Sequence, residues 1–261
     1  MAPGYDPTHY AALFAVEDRH FWFRTRNLAL RTIARDVAAR LPARCRVLEI
    51  GCGTGNTLRV LRETFSPDSL VVGVDLFQEG LAYARRRIAV PLVCARIEQP
   101  PFAVPFDLVG MFDVLEHIDD DGAGLREVRR LTTPGGYFMV TVPAHRALWS
   151  QFDEESHHCR RYEPDELRER LTAAGFAVEY LTPFMSTLYP IVRLSRWLSG
   201  IANRTRRSLG RDPTPIIQHD LSVRPVIDDI IGFVLRQETV ALRRRLQLPI
   251  GTSLLALARA T

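Results

Sequence analysis

Arg46–Asn56 reads RVLEIGCGTGN. Val47, Leu48 and Ile50 form an apolar run of buried-strand type, and helical spacing begins at Leu58 and Leu61. Between them stand Gly51, Cys52, Gly53, Thr54 and Gly55. A strand that passes through a glycine turn into a helix presents free backbone N–H groups to a ligand. Glycine at three alternate positions lets the main chain approach that ligand without a Cβ in the way. Roughly 20 residues on, Val71-Val72-Gly73-Val74-Asp75 forms a second apolar strand ending in an acid. A carboxylate there can accept both ribose hydroxyls of a nucleoside.

A dinucleotide fingerprint wants G-x-G-x-x-G, whereas this turn is G-C-G-T-G with Glu49 two residues ahead of it. A bare βα turn with Asp75 as a helix cap is the plain structural alternative, but the pairing of turn and acid favours a nucleoside cofactor. The stretch resembles motif I of class I S-adenosylmethionine (SAM) methyltransferases, E/D-x-G-x-G-x-G, and the likeness extends over about 46–142, closing with R-x-L-x-x-P-G-G before a strand. It implies a seven-stranded, mostly parallel, Rossmann-like α/β sheet with helices on both faces. It also implies S-adenosyl-L-methionine as cofactor, held by Glu49, Gly51, Cys52, Gly53, Gly55, Asn56 and Asp75. Leu76, with Phe77, would flank the adenine. Arg96 stands where many relatives carry an acid, which moves the adenine contact to Ile97 and the possible acid to Glu98. Phe112 and Asp113, at the end of the fourth strand, would line the same crevice. In the family an N-terminal segment folds over the cofactor, so Trp22 or Phe23 would cover the methionine end and Arg24 or Arg26 would pair with its carboxylate.

The 261 residues suffice for a full core, and the 46% hydrophobic and 25% charged fractions are those of an ordinary globule. The sequence pI is about 9.1, yet the net charge is only +4. All 34 basic residues are arginine, which excludes Schiff-base chemistry on a lysine. The arginine runs at 85–87, 129–130, 204–207 and 243–245 are scattered, as on solvated helix faces, so nucleic acid is not the expected partner. Cys45, Cys52, Cys94 and Cys159 show no C-x-x-C spacing and no secretory signal precedes them, so the expected compartment is a reducing cytoplasm. Nothing in the pattern sets an oligomeric state.

Along the chain, residues 1–45 read as an aromatic, helical cover, with a helix over Leu28–Leu41. The methyltransferase-like core takes 46–182 and 250–261. Its strands are expected to begin at Arg46 and Val71 and to cover Pro91–Cys94, Phe106–Met111, Tyr137–Val142, Phe176–Leu181 and Gly251–Ala260. Residues 183–249 form an insertion where a short hairpin would suffice. It reads as a helical cap or substrate lid, with a helix over Asp228–Leu246. Its apolar-basic piece at 184–198 could touch a membrane surface; Pro190, Arg193 and Arg196 keep it from spanning one.

Methyl transfer from a sulfonium is an in-line displacement, so the protein must align donor and acceptor and, for a hydroxyl, help remove a proton. His117, His145, His157, His158 and Tyr162 lie near the expected carboxyl edge. His145, His158 and His117 are the best candidates, since imidazole titrates near neutrality. Asp113-x-x-Glu116-His117 also resembles the E-x-x-E-H element of metal-dependent O-methyltransferases, and His158 with Tyr162 matches the later histidine and aromatic of the small-RNA enzymes. That likeness implies Mg2+ or another divalent cation on Asp113, Glu116, His117 and His158, although Asp113 is one methylene short. The same F-D-x-L-E-H phrase also occurs without any metal. The expectation is a SAM-dependent methyltransferase acting on a small molecule, oxygen favoured, in secondary or lipid/quinone metabolism. An RNA methyltransferase, a SAM binder without transfer, and a NAD oxidoreductase are the alternatives.

Overall fold

The computed structural model describes residues 9–196 and 225–261. Seven strands form one sheet: β1 (Arg46–Ile50), β2 (Leu70–Asp75), β3 (Leu92–Cys94), β4 (Phe106–Phe112), β5 (Thr132–Pro143), β6 (Phe176–Phe184) and β7 (Ser253–Ala260). Their order is β3-β2-β1-β4-β5-β7-β6, parallel except for β7. The order reverses between β1 and β4, which puts a crevice outside the carboxyl ends of those two strands.

Side chains alternate between the two faces of each strand. On one face Val47, Leu108, Met139 and Leu257 pack beneath Leu30 and Ile33 of α2 (Phe21–Ala38) and Leu61 of α3 (Asn56–Thr64). On the other, Leu48, Val109 and Phe138 pack against Leu125 and Val128 of α5 (Asp121–Leu131) and Leu167 of α7 (Pro164–Ala173). Other helices are α1 (Tyr10–Val16), α4 (Gln78–Arg87), the short α6 (Gln151–Glu155) and α8 (Pro225–Arg243), and residues 189–196 are helical as well. No described helix is long and apolar enough to cross a membrane.

Several boundaries differ from the sequence reading. α2 begins at Phe21, not Leu28, because His20 is extended and its Nδ1 accepts the Trp22 N–H at 3.3 Å, capping the helix seven residues early. The aromatic phrase is therefore the first turn of α2 and not a lead-in. β5 begins at Thr132, so Pro134–Gly136 lie within the extended run, where the pairing with β4 shifts register. β6 continues to Phe184, and Pro183 and Phe184 pair with Leu254 and Ser253, so the insertion starts later than residue 183. Phe184, Met185 and Leu188 are buried in the core, which withdraws these three apolar side chains of the 184–198 piece from any outer surface. Residues 197 and 198 lie outside the described residues. α8 seats Leu235 and Leu242 in the same cluster as Leu30 and Ile33, and its Asp228 accepts the Phe21 N–H at 2.7 Å.

Glu49 shares the face of Val47, is fully buried, and accepts from the Thr57 hydroxyl of α3. Burial pushes its carboxyl up to about 8 from 4.5, opposed by the Thr57 hydrogen bond and the Arg26 charge. The native state thus holds a proton that the unfolded chain releases above about 4.5. The resulting stability is complete below that pH and is lost as pH rises through about 8. In ligand-free protein, Glu49→Gln is expected to gain in Tm over the wild type as pH is raised from 5 to 8; a constant difference across that range would contradict the reading.

Candidate functional site

The glycine turn closes with Gly51, Gly53 and Gly55 all at positive φ (72°, 49° and 78°), a backbone that side chains with a Cβ rarely adopt. A Cβ at Gly51 would also lie 2.3 Å from Val114 Cγ2. Asp75, at the tip of β2, accepts the Gly53 N–H at 2.7 Å through one oxygen. Its other oxygen accepts the Phe77 N–H at 2.9 Å and the Tyr10 hydroxyl at 3.2 Å. Burial raises the Asp75 pKa, and these hydrogen bonds pull against it. Cys52 is buried against Gly73, with its thiol pKa pushed up by burial, as a small filler requires. Leu76 is exposed beside Asp75. Ile97 is half-buried beyond the end of β3, and Glu98 is exposed and paired with Arg96 at 3.2 Å. The Phe112 side chain is buried in the core, and a Cβ at Gly110 would lie 2.8 Å from its ring.

Arg26 lies under the rings of Trp22 and Phe23, its guanidinium carbon 4.9 and 5.3 Å from their centroids. It donates to Asp113 Oδ2 at 2.8 Å and Asn56 Oδ1 at 3.4 Å, while its Nε is buried without a partner. Asp113, at φ 55°, also accepts from Thr141 Oγ1 at 3.1 Å. Asp113, expected in a metal set, thus has its carboxylate paired with the arginine brought over by α2, and it is not among the residues whose donor atoms converge.

The other three expected ligands do converge. Donor atoms of Glu116, His117 and His158 all lie within 4.8 Å of one another. Glu116 Oε2 is buried without a hydrogen-bond partner, and burial, with the Asp113 charge, holds its pKa well above the carboxylate range. Burial lowers the His117 pKa to about 3, with the His158 charge adding to it, so that imidazole is neutral. His158 Nδ1 sits 2.9 Å from Asp153 Oδ1, and Arg161 Nε donates to the same oxygen at 2.7 Å. Asp153 is fully buried; the His158 hydrogen bond and the Arg161 and Arg196 charges outweigh burial and set its pKa at about 2.

His145 stands apart from that trio. At φ 58° it follows β5, its Nδ1 lies 2.7 Å from Glu163 Oε2, and its Nε2 is buried without a partner. A carboxylate on Nδ1 makes that nitrogen the donor and leaves Nε2 as an acceptor. Tyr162 is withdrawn as a base: it is fully buried, donates to Asp121 Oδ2 at 2.8 Å, and has its pKa raised by burial and by that acid. His157 is exposed.

Sequence reasoning did not find Tyr10, Asp153 or Glu163. None stands in a motif, and each reaches its partner only through the fold. The insertion reaches the same area: the Tyr189 ring is 5.5 Å from that of His145, and Arg196 donates to Leu148 O and lies 3.4 Å from Asp153 Oδ2.

Comparison with known proteins agrees with this architecture. The chain is 33% identical over 199 residues to the malonyl-[acyl-carrier protein] O-methyltransferase of Enterobacter lignolyticus, covering 71% of this chain and 77% of that one. It is 33% identical over 144 residues to the trans-aconitate 2-methyltransferase of Azoarcus sp., covering 54% of each, so it spans about half the length of that relative. A solved methyltransferase-fold protein of Bacillus halodurans superposes with a TM-score of 0.56 at 17% identity, over 88% of this chain and 97% of the other. Residues 19–181 match the family model described as a methyltransferase domain, and with the crevice, the three-glycine turn and Asp75 the chain belongs to the class I SAM-dependent methyltransferases.

Proposed function

We propose that this protein transfers the methyl group of SAM to an oxygen of a small molecule. The observation that carries the cofactor half is the Asp75 carboxylate, tied to the Gly53 and Phe77 amides at the mouth of the β1/β4 crevice. On this reading Asp75 exchanges the Tyr10 hydroxyl for the ribose hydroxyls, with Leu76, Ile97 and Glu98 around the adenine. Glu49 and Cys52 support the turn from beneath, and the amides of Gly51, Gly53, Gly55 and Asn56 face the cofactor's amino-acid end. Trp22 covers the methionine end, and Arg26, with Nε still free, binds its carboxylate while holding Asp113.

The acceptor half rests on the polar groups at the ends of β4 and β5. His145 Nε2 takes the proton of an acceptor hydroxyl. The oxygen lone pair then forms the bond to the methyl carbon as the C–S bond breaks, leaving S-adenosylhomocysteine. Glu163 fixes the imidazole tautomer. Glu116, His117 and His158 would hold a divalent ion, a donor set suited to borderline transition metals, with Asp153 orienting His158 from behind. When bound, such an ion lowers the pKa of a nearby hydroxyl. The insertion supplies part of the acceptor wall through Tyr189 and Arg196. An O-methyltransferase among the relatives supports the choice of oxygen.

Asp75→Ala should weaken S-adenosylhomocysteine binding by tenfold or more in calorimetry, and an unchanged affinity would remove the cofactor assignment. His145→Gln should lower kcat by about 10²–10⁴-fold with donor affinity unchanged; full activity would end its role as base. Titration with Mn2+ or Zn2+ should yield one bound ion per chain, lost in Glu116→Gln and His158→Gln. No binding, together with full activity in EDTA, would exclude the metal.

A further inference from the structure

α8 is amphipathic on the wrong side as well as the right one. Leu235 and Leu242 face the core, while Ile230 and Phe233 point away from it and are 60% and 61% exposed. Val234 and Val240 are exposed too, so the outward stripe runs over three turns. A helix apolar on opposite faces is ordinarily buried on both. The turns at 189–196 add Ile191 and Leu194, 62% and 57% exposed. Glu238 of α8 anchors that piece beside it, accepting the backbone N–H groups of Ser186 and Thr187 at 3.1 and 3.0 Å.

The charges on α8 are sorted. Asp228 accepts the Phe21 N–H, the exposed Asp229 pairs with Arg24 at 2.8 Å, and Glu238 holds 186–187, so every acid of α8 already has a partner on the protein. Arg236, Arg243 and Arg244 are exposed and pair with no acid among the described residues. The sorting extends to composition. Residues 183–249 contain eleven arginines and five acids, a net +6 against +4 for the whole chain, so the remaining residues net −2.

We propose that the outward faces of α8 and of 189–196 form a docking surface for an anionic lipid bilayer. Exposed apolar side chains flanked by unpaired arginines supply the two attractions that peripheral binding needs, insertion at the headgroup boundary and charge. Charge argues against the other occupants. A second copy would set the same three unpaired arginines, 236, 243 and 244, against themselves, and the chain's own residues 197–224 carry a net +3 by sequence. The surface lies on the insertion and does not depend on the acceptor or on the metal reading.

The test is co-sedimentation of the full chain with phosphatidylcholine vesicles and with vesicles containing phosphatidylserine. Retention should be at least tenfold greater on the anionic vesicles, be reversed by high salt, and be lost in the Ile230→Glu/Phe233→Glu double variant. S-adenosylhomocysteine binding and Tm should be unchanged in that variant. Arg243→Gln/Arg244→Gln, which alters no apolar contact, should weaken retention several-fold. Equal retention on neutral vesicles, no retention on either, or retention indifferent to both variants would overturn the proposal. So would a wild-type dimer that the double glutamate variant converts to monomer, which would make the face a contact between copies.

Discussion

The Asp75 carboxylate fastens two segments that would otherwise be independent, the glycine turn after β1 and the loop that opens α4. It does so by accepting the Gly53 and Phe77 N–H groups with different oxygens. With the turn held there, the three positive-φ glycines present their backbone to the crevice in one arrangement. Burial raises the pKa of such a carboxylate, and the donors around it pull the other way. Gly73, two residues earlier in β2 and so on the same face, completes the fit. A Cβ there would stand 2.6 Å from Leu58 Cδ2 and 2.8 Å from Cys52 Sγ, so the close seating of α3 and of the turn on β2 requires its absence.

A second set of constraints joins distant parts of the chain across the crevice. Arg26 carries charge from α2 to Asp113 at the end of β4. Asp153 gathers His158, Arg161 and, from the insertion, Arg196. Buried ion pairs of this kind contribute little net stability but punish removal of one partner, which suits them to fixing geometry. The insertion is thus held at both ends. α8 is bound to α2, and the 189–196 turns lean on the residues that flank His145 and His158.

The carboxylate at 113 separates what a motif can say from what it cannot. D-x-x-E-H names three groups at metal-ligand spacing, and two of them, Glu116 and His117, do meet His158. Asp113 does not, because a left-handed backbone and an arginine 87 residues earlier in the chain direct its side chain elsewhere. The early start of α2 has a similar origin. His20 is a weak cap by residue type, yet its ring nitrogen accepts from Trp22 while Asp228, more than 200 residues away, takes the Phe21 N–H.

By itself the sequence determined the individual strands, the glycine turn, the acid at the end of β2 and the strand-helix alternation up to β5. Those follow from apolar periodicity and from backbone conformations that glycine adopts far more readily than other residues, both readable from residues next to one another. Tertiary structure decided which polar groups share a site: Tyr10 with Asp75, Arg26 with Asp113, Asp153 with His158, Glu163 with His145. Such pairings depend on which side chains the folded sheet brings within about 3 Å, and no spacing along the chain encodes that distance.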